Sequence, residues 1–393
     1  MDTTLSTPLL GGLSPDKFMR RHWQKKPLLV RQAIAGVAPP LARGPLLALA
    51  QSEDVESRLL VRDGERWTLR AGPLPRRALP SLARPGWTLL VQGLDLHVEA
   101  ARRLLDRFRF VPEARLDDLM VSYASDRGGV GPHFDSYDVF LLQVQGRRRW
   151  RIGRQRDRSL RPGLPLKILA NFEAEQEWEL EPGDLLYLPP RWAHDGVAVG
   201  GDCMTCSIGM RVPRRADLAR SVLQRVLDET EAPDDDPLYR DPQQPATAEP
   251  GRIPPALAAF AADAVARLTG DPHELACALG EVLSEPKPRV WFDPGEPAAL
   301  SGGVRLDRRS RMLYDEQRIY LNGESYRAGG RDARAMRALA DRRHLDVASV
   351  ARLSAEAREL LGEWSRAGWV HHEPLPGAGS PQRETGLPGA EVD

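Results

Sequence analysis

Residues 131–150, GPHFDSYDVFLLQVQGRRRW, decide how this chain folds. His133 and Asp135 lie two positions apart, so on a β-strand both side chains point to the same face of the sheet. An apolar run follows them, and a Gln-Gly pair then precedes three consecutive arginines. We predict a hairpin that turns at this Gln-Gly pair, with a candidate metal-binding pair at one end and a cationic cluster at the other.

The segments around this stretch are also typical of strands. From 119 to 212 the chain consists mainly of short strand-like runs separated by glycine and proline turns. Such spacing is typical of a closed or double-sheet β architecture. We therefore predict a mainly β domain that ends near residue 212.

The pattern becomes helical after residue 213. Residues 217–232 repeat apolar side chains at intervals of three and four, and Asp217 is the predicted N-cap. An Asn-Gly pair inside RIYLNGESYR, 318–327, predicts a hairpin. Four more helices are predicted, near 256–268, 273–284, 331–343 and 346–366. The last two helices and the hairpin indicate a winged-helix-like module.

Breaks in composition divide the chain into four parts. A segment rich in Pro and Asp, 233–255, predicts an exposed connection, and SEPKP marks a second boundary. The end of the chain is poor in apolar residues, which predicts disorder. The predicted limits are 1–212 for the β domain, 213–285 for the helical region, 286–373 for the winged-helix-like module and 374–393 for a disordered tail.

The overall composition excludes some classes of protein. The 393 residues exceed what one hydrophobic core usually serves, so more than one domain is expected. The formal net charge of +0 argues neither for nor against a nucleic-acid partner, so only local patches of charge can indicate one. Cys203 and Cys206 fall on a predicted strand, where their sulfurs point to opposite faces, so we expect core cysteines. The N-terminus lacks the pattern of a secretory signal, and no apolar run is long enough to span a bilayer. We expect a cytoplasmic protein without a membrane partner.

A third metal ligand is found in EPGDLLYLPPRWAHDGVAV, residues 181–199. A turn there leads into an apolar strand, a Pro-Pro corner and then His194. Two imidazoles and one carboxylate form a facial triad that leaves three coordination positions open. That arrangement suits Fe(II) with a bidentate cosubstrate and O2 better than it suits zinc.

The arginine cluster supplies a second signal. On a strand through RRRWRI, Arg148, Trp150 and Ile152 share one face, and Arg147, Arg149 and Arg151 share the other. One arginine therefore faces the core. A buried cation is costly unless an anion pairs with it. A dicarboxylic cosubstrate that reaches the metal would satisfy Arg148.

The chain resembles a known family in three stretches. DDLMVSYASDRGGVGPHFDSYDVFLLQVQGRRRWRIG and PGDLLYLPPRWAHDG, preceded by RRHWQKKPLLV, are similar to the JmjC-type ribosomal oxygenases. The similarity is strongest to the bacterial members that hydroxylate an arginine of a large-subunit ribosomal protein. It implies a double-stranded β-helix (jelly roll), dependence on Fe(II) and 2-oxoglutarate, a helical dimerisation region and a C-terminal winged helix.

The resemblance also implies roles for individual residues. His133, Asp135 and His194 match the iron ligands of the family. Arg148 and Ser122 match positions that bind 2-oxoglutarate. The far carboxylate of 2-oxoglutarate would then meet Arg148 while its keto acid meets the metal.

A substrate pocket follows if Ser122 reaches the cosubstrate. The strand period puts Asp118 and Met120 on the same face as Ser122. Asp118 would pair with a guanidinium, while Met120 and Tyr137 would enclose it. Ser207 would add a hydrogen bond from the next strand.

Three other functions remain open on the sequence alone. A JmjC N-methyl demethylase uses the same triad and cosubstrate, and a histidyl hydroxylase of the same fold would need a less acidic pocket. A metal-binding cupin-like regulator would use the C-terminal module to bind nucleic acid. The helices of that module carry acids as well as arginines, so we do not expect it to bind nucleic acid.

Overall fold

The structure is a computed structural model that describes residues 2–230, 237–246, 251–295 and 302–373. Contacts divide the chain into two compact units, Met1–Leu218 and Ala219–Asp393. The predicted disordered tail lies outside the described residues, as does part of the predicted linker.

The first unit is built on β-strands. They form one hydrogen-bonded set in the order β1-β9-β7-β10-β5-β4-β2-β3, with β6 added to β10 and β8 added to β7. In chain order the strands are β1 (Leu28–Val30), β2 (Ser57–Asp63), β3 (Arg66–Ala71), β4 (Trp87–Val91), β5 (Leu116–Ala124), β6 (His133–Phe134), β7 (Asp138–Gly153), β8 (Gln176–Leu180), β9 (Leu185–Leu188) and β10 (Ala193–Met210).

Two long strands join the two sheets of this jelly roll. The first part of β7 pairs with β9 and its later part pairs with β8. Likewise, β10 pairs with β6 at its start and with β5 further along. The predicted mainly β jelly roll is confirmed.

The predicted turn at Gln145-Gly146 is wrong. The segment Asp138–Gly153 is one continuous strand, and β6 pairs with β10 rather than with β7. Gly146 has φ +63° and lies where the β7 register against β10 shifts, as in a β-bulge. The Gln143 amide donates to the carbonyls of Gln145 (2.7 Å) and Gly146 (3.1 Å), so a buried side chain fixes the irregular backbone.

The N-terminal helix fixes the start of β7. Phe18 is fully buried against the rings of Phe140 (5.5 Å) and Tyr187 (4.9 Å). The buried Asp138 carboxylate accepts hydrogen bonds from the Tyr187 hydroxyl (2.6 Å) and the Gln24 amide (3.0 Å). These contacts hold the strand three residues after Asp135.

The helices agree with the predicted positions, with two corrections. Asp217 lies in the first turn of a helix that begins at Arg215, so it is not the N-cap. The predicted helix 346–366 is two helices, because the Ser354 hydroxyl caps a new helix at the Ala357 amide (3.1 Å). The α-helices are α1 (Pro15–Arg21), α2 (Arg43–Leu49), α3 (Leu94–His97), α4 (Glu99–Asp106), α5 (Arg215–Glu229), α6 (Pro255–Leu268), α7 (Pro272–Ser284), α8 (Gly330–Arg342), α9 (Val347–Ala351) and α10 (Ala355–Arg366), and short 3-10 helices cover Pro8–Leu10, Arg76–Ala78 and Glu113–Arg115.

The second unit ends in a small module of helices and hairpins. Asn322 (φ +52°) and Gly323 (φ +93°) make the predicted two-residue turn, which needs positive φ at both positions. Its core surrounds the fully buried Trp364. The strands are β11 (Gly303–Leu306), β12 (Met312–Tyr314), β13 (Arg318–Leu321), β14 (Glu324–Arg327), β15 (His344–Leu345) and β16 (Val370–Glu373). Among the described residues, no helix combines the length and apolar character needed to cross a membrane.

A buried carboxylate ties the strands of this module together. Asp307 is 2% exposed and accepts hydrogen bonds from His371 Nε2 (2.7 Å) and from the backbone amide and Nε of Arg309 (2.8 Å each). Burial alone would raise the pKa of Asp307, but these hydrogen bonds hold it well below its usual range. The ionised form therefore stabilises the folded module.

We expect Asp307→Asn to destabilise this module by about 3 kcal/mol at neutral pH, because the substitution breaks a buried charge network. Hydrogen exchange of the β11 and β16 amides, followed by mass spectrometry, reports this local stability. Since the pKa is lowered in the folded state, the difference from the wild type should persist above pH ~4 and shrink below it. The exposed Glu316→Gln is the matched control. Equal exchange in Asp307→Asn and wild type would contradict the stabilising role.

Candidate metal centre and its surroundings

Three side chains converge at one end of β10. His133 on β6 lies directly opposite His194 on β10, and their ring centroids are 4.3 Å apart. An Asp135 carboxylate oxygen lies 3.8 Å from His133 Nε2 and 3.7 Å from His194 Nε2. The three ligand atoms lie within 4.8 Å of one another. The structure thus brings together the predicted facial triad.

The backbone fixes both imidazoles in the orientation that a metal needs. His133 Nδ1 donates to the Gly131 carbonyl (2.8 Å), and His194 Nδ1 donates to the Trp192 carbonyl (3.0 Å). Each Nε2 therefore keeps its lone pair toward Asp135. Burial lowers the pKa of His194, and the nearby His133 lowers it further. The neutral imidazole, which is the metal-binding form, is favoured.

Gly131 is needed for this arrangement. Its φ is +84°, and a Cβ there would lie 3.1 Å from Ile168 and 3.2 Å from Trp67. A side chain would strain the backbone and displace the carbonyl that orients His133.

Arg148 is a buried cation near the triad. It is 2% exposed, and its Nε and Nη2 have no hydrogen-bond partner among the described residues. The Trp150 ring lies 5.8 Å from the Arg148 guanidinium and 5.8 Å from the His194 ring, so it neighbours both.

Ser122 opens toward the same interior. Its buried hydroxyl also has no hydrogen-bond partner in the described part of the chain. Arg148 lies opposite Ala198 on β10, and Ala198 packs against Ala124 on β5. Ala124 and Ser122 share a face of β5, so Ser122 lies on the same side of the sheet as Arg148. A buried guanidinium and hydroxyl without partners, close to a metal-binding triad, fit a ligand with a carboxylate at each end.

The predicted substrate residues lie on β5 and its surroundings. Asp118 is buried and accepts hydrogen bonds from the Gln92 amide (2.7 Å) and the Gly93 backbone (3.0 Å). Ser207 on β10 is opposite the half-buried Met120 on β5. Asp118, Met120 and Ser207 therefore occupy one region of the paired strands.

Tyr137 connects this region to the triad. It is 38% exposed, and burial of its hydroxyl raises its pKa. The negative charges of Asp135, Asp118 and Asp117 raise the pKa further, so these carboxylates lie near the hydroxyl. The region beside the metal ligands therefore contains several carboxylates, of which Asp117 pairs with Arg211 (3.3 Å).

Sequence reasoning missed several residues of the site. Trp150 was assigned only to the inward face of β7, and Gln92 and Gly93 were not identified. The last two follow β4, and only the pairing of β4 with β5 places them beside Asp118. A spacing pattern along the chain carries no signal for them.

Comparison with known proteins relates part of each unit to a known domain family. A JmjC domain model matches residues 103–218, and a ROXA-like winged helix model matches residues 267–371. The X-ray structure of ycfD from E. coli superposes with a TM-score of 0.80 at 30% identity, covering 91% of this chain and 98% of that chain. The chain belongs to the JmjC-type ribosomal oxygenases.

Two further comparisons bear on the site. The ribosomal protein uL16 3-hydroxylase of Escherichia coli is 38% identical over 246 residues, which is 61% of this chain. The match spans 63% of the length of that curated relative. E. coli YcfD in complex with cobalt and 2-oxoglutarate superposes with a TM-score of 0.76 at 29% identity, covering 92% of this chain and 98% of that one.

Loss of one triad imidazole should remove tight metal binding. We expect His194→Ala to weaken Co2+ binding at least ~100-fold, since two protein ligands remain in place of three. Isothermal titration calorimetry with Co2+ measures the affinity. His344→Ala, which removes an exposed histidine of the second unit, should leave it unchanged. Equal affinity in His194→Ala and wild type would show that the metal binds elsewhere.

Proposed function

We propose that the chain is an Fe(II)- and 2-oxoglutarate-dependent hydroxylase that acts on an arginine side chain of a large-subunit ribosomal protein. The observation that carries this proposal is a His-Asp-His triad near the buried Arg148, whose Nε and Nη2 have no hydrogen-bond partner among the described residues. Similarity to the E. coli hydroxylase of ribosomal protein uL16 supports the substrate class.

In this proposal the triad holds the metal and the interior of the jelly roll holds the cosubstrate. His133, Asp135 and His194 bind Fe(II), and Arg148 and Ser122 bind the far carboxylate of 2-oxoglutarate. Bound Fe(II), with 2-oxoglutarate and O2, supplies the oxidising chemistry. The protein residues position the reactants: the backbone carbonyls orient the imidazoles, and the Trp150 ring neighbours both His194 and Arg148.

The acidic region beside the triad favours an arginine substrate. Asp118 would pair with the guanidinium, and Met120 and Tyr137 would pack on its faces. Ser207 would donate or accept one hydrogen bond. The buried Asp118 carboxylate, on the β5 face that also carries Ser122, supports a cationic side chain over a neutral imidazole. Histidyl hydroxylation, demethylation and the cupin regulator are therefore alternatives for experiment to separate.

We further propose that two copies of the chain associate through the helical region. Apolar side chains of α5 and α6 are exposed, including Leu227 (53%), Phe260 (38%) and Val265 (63%). Exposed apolar faces of this kind suit contact with a second copy. The cytoplasmic location and the limits 1–212, 213–285, 286–373 and 374–393 stay predictions.

The first experiment measures the mass of a substrate peptide. The peptide spans the arginine-bearing loop of the organism's own large-subunit ribosomal protein and is incubated with the protein, Fe(II), 2-oxoglutarate and ascorbate. We expect a gain of one oxygen, about 16 Da, that is absent with His133→Ala. No gain with continued consumption of 2-oxoglutarate would favour a histidyl or methylated substrate, and release of formaldehyde would identify the latter. No gain and no consumption would favour the regulator.

Asp118→Asn tests the substrate pocket in the same assay. The amide keeps the shape and an acceptor for the Gly93 amide but loses the charge that would pair with arginine. We expect the KM for the peptide to rise roughly 10- to 100-fold. Asp54→Asn, an exposed carboxylate elsewhere in the first unit, is the matched control. An unchanged KM in a folded Asp118→Asn variant would exclude Asp118 as the guanidinium partner.

Arg148→Gln tests the cosubstrate site. We expect the KM for 2-oxoglutarate to rise roughly 10- to 100-fold, because a charge-assisted hydrogen bond to a carboxylate is lost, while Co2+ binding stays intact. Arg147→Gln is the control, since Arg147 lies on the same strand, is exposed on the opposite face and pairs with Glu179. Equal KM values for the two variants would overturn the assignment of Arg148.

A further inference from the structure

The other face of β7 and β10 carries a second feature. A groove of about 580 Å³ lies on the side of these strands that faces away from Arg148 and His194. Its remaining walls come from the β2–β3 turn, the loop before β4 and the loop after β5. Five arginines line it: Arg62, Arg84, Arg127, Arg149 and Arg151.

Two of the five arginines already have an acidic partner: Arg127 Nε lies 3.6 Å from the Asp126 carboxylate, and Arg151 pairs with Asp195. The lining contains two carboxylates, and one of them, Asp195, is taken up by Arg151 at 2.5 Å. Asp63 is the other. The Arg84 and Arg149 guanidinium groups are exposed and make no ion pair or hydrogen bond with the residues that the structure describes. Glu179, opposite Arg149 on β8, pairs with Arg147 at 2.6 Å.

The arrangement of these cations suits a chain of anions. Arg149 and Arg151 are two residues apart on one strand face, about 7 Å along the strand. Arg62 is held by its Trp67 contact (5.4 Å) and by a hydrogen bond from its Nε to the Gly64 carbonyl (3.1 Å). Guanidinium groups bind phosphate oxygens through paired hydrogen bonds. The apolar lining residues are Pro85 and Val197, so a folded peptide would find little apolar contact there.

We propose that this groove binds the phosphate backbone of a single RNA strand. The neutral net charge of the whole chain does not oppose this, because the charge that matters is local. The choice of RNA over DNA rests on the proposed function, because the proposed substrate is a ribosomal protein and ribosomal proteins bind RNA. The presence of an anion-binding groove does not rest on it.

The test measures binding of a fluorescein-labelled, single-stranded RNA of about 20 nucleotides by fluorescence anisotropy. The full-length protein is used without metal or 2-oxoglutarate, so failure of the hydroxylation assay leaves this result intact. The groove variant is Arg84→Gln with Arg149→Gln. The matched control is Arg331→Gln with Arg334→Gln, which removes two exposed arginines from α8 of the winged-helix module. Circular dichroism checks that both variants are folded.

We expect the groove variant to bind RNA roughly tenfold more weakly, and the control to bind like the wild type. The slope of log K against log salt should become shallower by about 1.4, because two phosphate contacts at about 0.7 each are lost. Equal weakening of RNA binding in both variants would show that the groove is not the RNA site. Loss of RNA binding in the α8 variant alone would show the same. Tighter binding to DNA of the same sequence would overturn the choice of RNA. Binding of polyglutamate without binding of RNA would show that the partner is an acidic polypeptide.

Discussion

The buried guanidinium of Arg148 is the constraint on which the first unit depends. An isolated charge in the interior of a protein costs several kcal/mol, and two of its nitrogens have no partner among the described residues. The strand pattern of β7 leaves it no route to solvent, because Trp150 and Ile152 share its face and are buried. In the proposed function, the far carboxylate of 2-oxoglutarate offsets this cost.

The register of β7 decides which arginine faces the interior of the jelly roll. A slip of one residue would turn Arg148 outward and bring Arg149 into the jelly roll. The bulge at Gly146, fixed by the Gln143 amide, stands between the apolar part of the strand and its arginine-rich part. The strand thus presents arginines on both of its faces, and each face has a different proposed anion.

Periodicity along the chain was enough to predict the triad and the inward arginine. His133 and Asp135 share a face by their spacing, and a strand opening at His194 supplied the third ligand. The hairpin was predicted wrongly because a Gln-Gly pair signals a turn locally, whereas here the pairing of β7 with β10 continues past it as a bulge. The pairing of β4 with β5, and the meeting of five segments at the arginine-lined groove, depend on contacts distant in sequence. No local pattern predicts them.

The clamped imidazoles have a consequence for how the centre responds to different metals. Both rings are held by backbone carbonyls, and His194 sits in a ladder between β6 and β7, so their positions are set by the folded chain itself. Little side-chain entropy remains to be lost when an ion enters. Exchange of one divalent ion for another should therefore alter reactivity while leaving the shape of the site the same. A redox-inert ion in this centre would give a stalled enzyme that still presents its intact binding surface.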